Sequence, residues 1–368
     1  MTSAPEGLPR PTAGAVTVYF LGPGFGESQV VVLPDDRVLV VDGCSREGVN
    51  HPEAVLRALG RTRIDLLVLT HPDLDHLKGV GELVRDFRPE RIWRYPGMQT
   101  VREEVATQLL QAGAERARLV ELREVLQALM AHGDGPVQAC FDMRPWAPSA
   151  DYRVHCLAPT AFDIQRALPD LGAQLHLVGY EVRVAPRFAR IFRGEVRPGD
   201  HPNTLSLALV IEWGDRRILL AGDVENGAPD APRSGWKGVL RALSRNLPDL
   251  SHLLRGVALV KVAHHGSEGA YWPEAWEGHA APEKTAAVIA PFASSGLPRE
   301  GPLRRLREHC DRLGVSADAG GAFQRAESAG WSRGDDAVFD WSLPCIVATV
   351  TAAGPVRFAR SATAALFR

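Results

Sequence analysis

Cysteine is scarce in this 368-residue chain, which holds five of them. The five are widely separated, and no CxxC pair occurs. This scarcity argues against a disulfide framework and against a structural zinc knuckle, both of which need closely spaced or paired cysteines. A reducing cytoplasm is therefore the expected location.

Long apolar runs are missing as well. Runs such as those at residues 30–33 and 38–41 are the size of single β-strands, whereas a membrane-spanning helix needs roughly 20 apolar residues. The N-terminus also lacks an apolar core segment, so we expect residues 1–14 to form a flexible tail rather than a signal peptide. No association with a membrane is expected.

Charge of one sign does not dominate, because 42 basic residues face 44 acidic ones. Any affinity for a polyanion must then come from a local patch rather than from the field of the whole protein. The content of 45% hydrophobic and 23% charged residues is that of an ordinary globular protein. We expect residues 15–368 to form a single domain.

Strand and helix patterns occur in two similar halves of the chain. The first predicts strands at 16–22, 28–33, 37–43, 64–69 and 91–95 and helices at 51–60 and 80–87. The second predicts strands at 152–160, 257–267 and 285–292, a hairpin at 204–225, helices at 236–247 and 301–314, and two short final strands. A helical insertion around 97–135 separates the halves. The pattern predicts an α/β fold of sheets packed face to face with helices outside.

Polar groups gather where the apolar strands end. The segment THPDLDHLKG, at residues 70–79, holds four candidate metal ligands within six positions: His71, Asp73, Asp75 and His76. Three further groups follow apolar strands in the same way: Asp42, Asp223 and the pair His264–His265. Strand ends that meet at one rim of the sheets bring such side chains to one point, as a metal site requires.

Spacing within this segment favours two metal ions. His71 and Asp73 are two apart in an extended stretch and project to the same side. Asp75 and His76 follow the turn after Pro72 and reach a second centre. Two ions about 3.5–4 Å apart clamp the attacking and leaving oxygens of a displacement at phosphorus or at a carbonyl carbon.

Each motif also has a simpler explanation. Asp73 or Asp75 could cap the helix predicted at 80–87, although capping does not call for two flanking histidines. The pair His264–His265 could be one packed and one surface histidine. The glycines of residues 22–26 favour a tight strand connection, because their GxGxG spacing does not match a dinucleotide-binding loop.

The order of these motifs resembles that of the metallo-β-lactamase-fold hydrolases, whose fold is a four-layer αββα sandwich. The likeness rests on Asp42, HPDLDH at 71–76, Gly222–Asp223 and HHGS at 264–267. It is nearest to the hydrolase domain at the C-terminus of the DNA-uptake protein ComEC, whose subgroup also has an aspartate at the Asp73 position. Further matching motifs are GPGFGES at 22–28, Asn203 with Ser206, and LLAGDVE at 219–225. The resemblance spans residues 16–352 without the channel part, which implies a free-standing hydrolase.

The resemblance implies a role for each matching position. The implied metal ligands are His71, Asp73, Asp75, His76, Asp223 and His265, around two divalent ions, zinc or manganese. Asp223 would bridge the ions, and with Asp75 it would orient the nucleophile, a metal-bound hydroxide. His264 would act as an acid or proton shuttle. Asp42 would orient a ligand histidine.

Two departures from the family pattern concern the metals. Most members supply a third histidine to the first metal, between the cluster and the bridging aspartate. The candidates in that interval are His132, His155, His176 and His201. We favour His201, which lies just before Asn203 and the following strand. Asp73 in place of an imidazole hardens the site, which favours Mn²⁺ or Mg²⁺ relative to a histidine-rich zinc centre.

An arginine-rich segment around residues 180–200 concerns the substrate. Among its arginines are Arg187, Arg190 and Arg193, interleaved with aromatic residues. Such a stretch can track a phosphate backbone and stack on unpaired bases, or it can be a solvated edge or a protein-binding surface. Lys261 and Ser267 would contact a substrate phosphate.

These observations lead us to expect a phosphodiesterase or nuclease that acts on nucleic acid, single-stranded nucleic acid in particular. One alternative is a hydrolase of a small ester, a lactone or a cyclic nucleotide, because the same metals perform that chemistry. A second alternative is a hydrolase subunit that a partner protein regulates through the helical insertion.

Overall fold

The computed structural model describes residues 7–71, 73–96, 117–132, 137–141, 143–165, 202–227, 233–245, 248–270, 285–334 and 336–368. The strands are β1 (Val16–Leu21), β2 (Ser28–Val32), β3 (Val38–Val41), β4 (Ser45–Arg46), β5 (Val49–Asn50), β6 (Leu66–Leu69), β7 (Arg91–Arg94), β8 (Val137–Gln138), β9 (Tyr152–Ala158), β10 (Ala208–Trp213), β11 (Arg216–Leu220), β12 (Val257–Lys261), β13 (Thr285–Ile289), β14 (Cys310–Val315), β15 (Ala337–Phe339), β16 (Cys345–Val350), β17 (Arg357–Ser361) and β18 (Ala365–Phe367). The α-helices are α1 (His51–Ala58), α2 (Leu74–Leu77), α3 (Val80–Phe87), α4 (Ala117–Ala131), α5 (Gly235–Arg245), α6 (Glu300–His309) and α7 (Ala322–Ser328).

Two large sheets contain most of the described strands. The first has the order β15-β17-β16-β1-β2-β3-β6-β7-β8, and the second has the order β18-β14-β13-β12-β11-β10-β9. Strands β3, β6 and β7 run parallel in the first sheet, and β11 to β14 run parallel in the second. Because parallel strands end at the same edge, the polar segments after β3, β6, β11 and β12 collect at one rim.

The two sheets pack face to face, and helices cover their outer faces. Along β10, Leu209 and Ile211 join the core that both sheets share. Ala208 and Val210, the alternate residues, join a second core with the helices of the C-terminal half. Residues of α1, α3 and α4 pack on the other face of the first sheet. The predicted four-layer αββα sandwich is confirmed.

The helix predicted at 301–314 is wrong in its second half. Helix α6 ends at His309, and β14 follows directly. This strand pairs in parallel with β13 and antiparallel with β18, which buries Leu313 and Val315 between its neighbours. Pairing within the sheet thus outweighs the helical spacing of these residues. The hairpin predicted at Gly214–Asp215 is present, with Trp213 opposite Arg216.

Part of the segment expected to form an N-terminal tail packs against the rest of the protein. Residues 1–6 lie outside the described residues, but residues 8–10 contact the body. Leu8 is buried, and the Tyr19 hydroxyl donates a hydrogen bond of 2.6 Å to the Pro9 carbonyl. Arg10 donates to the Ala58 carbonyl at 3.0 Å. A single leucine among polar residues was too weak a signal to predict this packing.

Helix α4 is the described part of the helical insertion, whose residues 97–116 and 133–136 lie outside the described ranges. Its Leu122 and Val125 are buried in the first core. The Glu121 carboxylate accepts a hydrogen bond of 2.8 Å from the Gly79 N–H, just before α3. Among the helices described, none is long and apolar enough to span a bilayer.

Candidate metal centre

The turn after β6 carries the first group of ligands. Asp73 occupies the N-cap position of α2 but makes no capping hydrogen bond with its side chain, and α3 is preceded by Gly79. Neither aspartate of the segment therefore serves as the cap that the simpler explanation required. The Asp73 carboxylate lies 3.7 Å from the Nε2 atom of His71 instead.

His71 and His76 are buried side by side, with ring centroids 4.1 Å apart. The Nδ1–H of His76 donates to the Asp42 carboxylate at 2.7 Å, and the Nδ1 of His71 lies 2.9 Å from the Thr70 hydroxyl. Both Nε2 atoms are buried and have no hydrogen-bond partner among the described residues. Leaving such atoms unpaired costs about 1–3 kcal/mol each. A metal ion that accepts their lone pairs removes this cost.

Asp42 holds the two histidines in place. It is 1% exposed and has a positive φ of 57°, a backbone conformation that non-glycine residues rarely adopt. Its carboxylate accepts hydrogen bonds from the Thr70 N–H at 2.7 Å, from the Thr70 hydroxyl at 2.6 Å and from His76. These contacts fit the orienting role that the resemblance implied for Asp42, which stays a prediction.

Asp223 and His265 reach the same point from the second sheet. The Oδ2 atom of Asp223 lies 3.5 Å from the Nε2 of His76 and 3.8 Å from the Nε2 atoms of His71 and His265. The Nδ1–H of His265 donates to the Ala290 carbonyl at 2.9 Å, which turns its Nε2 towards Asp75 at 3.3 Å. The Nε2 atoms of three imidazoles therefore face one carboxylate oxygen of Asp223.

Two overlapping sets of donors result, each with ligand atoms within 4.8 Å of one another. One set consists of His71, His76 and Asp223, and the other of Asp75, His76 and His265. The structure thus brings together every metal ligand proposed from the sequence, since Asp73 lies beside the first set. His201, the favoured third histidine, lies outside the described residues.

A comparison with known families agrees with this geometry. The family model described as the metallo-beta-lactamase superfamily matches residues 22–275, a range that includes the glycine loop and all the proposed metal ligands. The chain belongs to the metallo-beta-lactamase superfamily. Members of this superfamily are metallohydrolases that typically bind divalent metals such as zinc.

Two solved structures show a distant similarity to this chain. A HARLDQ-motif mutant of a metallo-beta-lactamase from Cronobacter sakazakii is 16% identical over 68% of this chain and 79% of its own, with a TM-score of 0.30. Zn²⁺-bound PqqB from Methylobacterium extorquens is 9% identical over 67% of this chain and 71% of its own, with a TM-score of 0.33. A search of the curated proteins finds no match.

The charges of this superfamily site suit divalent cations. Burial lowers the pKa of His71 well below its usual value, so this imidazole is neutral. Burial would also lower the pKa of His76, but the carboxylates of Asp223, Asp75 and Asp42 raise it well above its usual value. Burial would raise the pKa of both Asp75 and Asp223, but His76 lowers it in both, so these carboxylates are ionised. Ionised carboxylates fit the divalent metals typical of the superfamily, and such an ion would displace the proton that these carboxylates hold on the His76 imidazole.

Lys261 lies behind the centre rather than in front of it. Its side chain is 1% exposed, and its ammonium group forms an ion pair with Glu27. It also donates to the Gly222 carbonyl at 2.8 Å and lies 3.5 Å from the Oδ1 of Asp223. The phosphate contact proposed from the sequence does not fit this burial. Lys261 instead balances the charge of Asp223 on the side away from the imidazoles.

Glu27 is the residue that sequence reasoning missed. It is 1% exposed and lies between Lys261 and His265, whose Nδ1 is 3.4 Å from its Oε2. The signal in the sequence was the position of Glu27 directly after the glycines of the loop. In the structure, Gly26 has a φ of 110°, and a Cβ added to it would come within 2.5 Å of the Asp75 carbonyl oxygen. Only glycine allows the loop to cross the ligand turn so closely.

His264 lies at the edge of the centre. Its Nδ1 is 3.1 Å from the Glu225 carboxylate and 3.1 Å from the Ser267 hydroxyl, and a quarter of its side chain is exposed. Asn203 also donates to Glu225, at 3.2 Å. Ser267 thus contacts His264, while its proposed phosphate contact stays a prediction. Arg187, Arg190 and Arg193 lie outside the described residues.

An open cleft of about 570 Å³ leads to the donors. Its lining includes Asp73, Asp75, Asp223, His264 and His265 from the centre, and Phe25, Arg46, Lys78 and Phe292 around them. A volume of this size lies within the range of sites that bind small molecules, about 300–1,000 Å³. Substrate therefore has direct access to the proposed metal positions.

Replacing Asp42 with asparagine is expected to weaken metal binding. The amide keeps the size of the side chain but loses its charge and can accept fewer hydrogen bonds from Thr70 and His76. We expect metal affinity to fall about 10–100-fold, as for other residues that orient ligand histidines. Titration against a competing chelator measures the change. The matched control is Asp86→Asn on the exposed face of α3, and equal affinities of the two variants would refute the orienting role.

Proposed function

We propose that this member of the metallo-beta-lactamase superfamily is a metal-dependent phosphodiesterase that acts on nucleic acid. The observation that carries the proposal is the convergence of three imidazoles and three carboxylates at the base of one cleft. Two overlapping sets of donors, which have His76 in common, favour two ions, and the Oδ2 of Asp223 lies 3.8 Å from the Nε2 of His265 in the second set. Pairs of ions are common in enzymes that displace an oxygen at phosphorus.

The chemistry of the donors favours a phosphate ester over an amide. Asp73 adds a hard oxygen donor where much of the superfamily has an imidazole, which suits Mn²⁺ and Mg²⁺. Arg46 and Lys78 line the same cleft and add positive charge around it. Positive groups beside the site attract a substrate that carries negative charge beyond the group that reacts.

The residues divide the work as follows. Bound divalent ions would supply Lewis acidity, which lowers the pKa of water and neutralises charge on phosphorus. His71, Asp73, Asp75, His76, Asp223 and His265 would hold these ions. Asp75 and Asp223 would also orient the attacking water. His264 lies at the cleft with its Nδ1 towards Glu225, and it would deliver a proton to the leaving oxygen.

Resemblance to the ComEC-type hydrolase domain also supports nucleic acid as the substrate. Of the matching residues, Ser206 contacts Asp223 and Asn203 contacts Glu225, two residues further along the chain. The Asp223 N–H donates to the Ser206 hydroxyl at 3.0 Å, and Asn203 donates to Glu225. These contacts place the two matching residues beside Asp223, the carboxylate proposed to bridge the ions.

The parent protein and an Asp75→Ala variant test the proposal directly. Both are loaded with Mn²⁺ or Zn²⁺ and incubated with labelled single-stranded DNA, double-stranded DNA, RNA and bis(4-nitrophenyl) phosphate. We expect the parent to cleave single-stranded nucleic acid and the chromogenic ester, and the variant to be slower by about a thousandfold, because metal stabilisation of the transition state is worth several kcal/mol.

An Asp86→Ala variant is the control for this experiment, since its carboxylate is exposed and remote from the centre. Cleavage of nucleic acid by the parent and by Asp86→Ala, but not by Asp75→Ala, supports a nuclease. Equal cleavage by Asp75→Ala would trace the activity to a contaminant and refute the proposal.

A second candidate is a phosphodiesterase of small molecules such as cyclic nucleotides. The cleft volume of about 570 Å³ favours it, because a ligand of that size would fill the cleft. Turnover of cyclic nucleotides without cleavage of any strand would select this candidate. Regulation by a partner protein through the helical insertion stays a proposal, and the exposed Val120 and Met130 of α4 are the described residues with which such a partner would be tested.

A further inference from the structure

Phe25 is an exposed aromatic residue beside the metal centre. Its side chain is 47% exposed, although phenylalanine is among the residues most often buried. It lines the same cleft as Asp75, Asp223 and His265. Covering this exposed apolar ring with a ligand would remove apolar surface from water, which favours binding.

The loop that carries Phe25 is fixed on both sides of the ring. Gly24 and Gly26 have φ angles of 91° and 110°, and a Cβ at either position would collide with Ala319 or with the Asp75 carbonyl. The Gly24 carbonyl accepts a hydrogen bond of 2.9 Å from the Ala293 N–H, and the Glu27 N–H donates to the Asp75 carbonyl at 3.1 Å. Exposure of the ring is therefore a fixed property of the loop.

Ring contacts connect Phe25 to a metal ligand. Phe25 meets Phe292 edge to face, with centroids 6.5 Å apart. Phe292 in turn stacks on the His265 imidazole, with centroids 5.1 Å apart and planes at 19°. A planar group that packs on Phe25 would thus be separated from the ligand His265 by two rings, Phe25 and Phe292.

Positive charge surrounds this ring. The Arg46 guanidinium lies 4.9 Å from the ring centroid and is held by the Pro23 carbonyl at 2.6 Å. Lys78 is exposed and lines the same cleft. Apart from histidines, the other charged residues in the described lining are Asp73, Asp75 and Asp223, which all belong to the proposed ligands. With these carboxylates on metal ions, the surroundings attract anions.

We propose that Phe25, Arg46 and Lys78 form a subsite for one unpaired nucleotide next to the reacting phosphate. Phe25 stacks on the base, and Arg46 and Lys78 contact the phosphates on either side of it. The subsite rests on the proposed function for its identity as a nucleotide site. Single strands bind because their bases are free to stack on an aromatic ring, whereas bases within a duplex are not.

Binding of two fluorescent strands tests the subsite. One is oligothymidylate, and the other has the same length and phosphates but abasic sugars. Affinity is measured by anisotropy in an Asp75→Asn background, so that the strands stay intact, at metal concentrations for which emission spectrometry shows the same metal content in every variant. We expect Phe25→Ala to bind oligothymidylate about tenfold more weakly, the loss typical of one stacked base, and to bind the abasic strand unchanged. Phe25→Trp should restore binding.

Two matched variants separate stacking from charge. Phe162→Ala removes another exposed phenylalanine, 38% exposed and outside the cleft lining, and should bind both strands like the parent. Lys78→Gln should weaken binding of both strands alike and lower the slope of log affinity against log salt by about one. A loss confined to oligothymidylate in Lys78→Gln would contradict its assignment to phosphate.

The outcomes distinguish this subsite from the function on which it rests. If Phe25→Ala binds both strands like its parent while the protein with Asp75 intact cleaves them, the subsite is refuted and the proposed function stands. If the binding pattern appears but no phosphodiester is cleaved, the proposed function is refuted and the subsite stands. Equal losses for both strands in Phe25→Ala would indicate a disturbed loop and refute base stacking.

Discussion

Asp223→Asn is expected to abolish metal-dependent hydrolysis. Asparagine keeps the shape of the side chain but removes the charge of the oxygen that faces His71, His76 and His265. Ions that share this oxygen would lose a bridging ligand, and their contribution to the transition state is worth several kcal/mol. A loss of about a thousandfold in kcat/KM follows, since each 1.36 kcal/mol is a factor of ten.

Metal content and initial rates measured together check this expectation. Emission spectrometry after gel filtration should show fewer bound ions in Asp223→Asn than in the parent. Asp311→Asn, which changes an exposed aspartate at the start of β14, should keep both the ions and the activity. Full activity with full metal content in Asp223→Asn would show that this carboxylate is no ligand.

Lys261→Met is expected to cause the largest loss of folding stability. The Lys261 ammonium is buried with Glu27 and close to Asp223, and these two carboxylates raise its pKa against the effect of burial. Removing one partner of a buried ion pair leaves the other uncompensated, which typically costs about 3–5 kcal/mol. Urea unfolding of the metal-free proteins measures the difference in the free energy of unfolding.

The double variant Lys261→Met/Glu27→Gln separates a lost ion pair from lost packing. With both charges of the pair removed, much of the stability should return, and the coupling energy of the cycle should be large. Lys237→Met on the exposed side of α5 is the control and should change stability by less than about 0.5 kcal/mol. Additive effects of the two substitutions would mean that Lys261 and Glu27 do not stabilise each other.

The residues of the proposed metal centre could be predicted because the ends of apolar strands can be recognised in a sequence. Apolar runs such as the one before Thr70 identify strands. Parallel pairing of β3 with β6 places Asp42 beside the turn after β6, and parallel pairing of β11 with β12 places Asp223 beside His264 and His265. The choice of His265 over His264 as the proposed ligand matches the direction of their Nε2 and Nδ1 atoms. The order of motifs thus carried both the fold and the proposed ligands.

What escaped prediction depends on contacts between distant parts of the chain. Lys261 has the same local sequence whether its ammonium faces a substrate or a buried glutamate, and only the packing of β12 against the glycine loop decides this. The exposure of Phe25 depends on hydrogen bonds to Ala293 and Asp75, which no local pattern reveals. Strand β14 likewise exists because β13 and β18 flank it.

The proposed ligands come from both sheets: His71, Asp75 and His76 follow a strand of the first, and Asp223 and His265 follow strands of the second. Ions held by these ligands would link the two sheets, since the sheets could not separate without releasing the metal. Binding confined to the folded state stabilises that state in proportion to the logarithm of free metal. Scarcity of metal would then remove activity and loosen the sandwich at once.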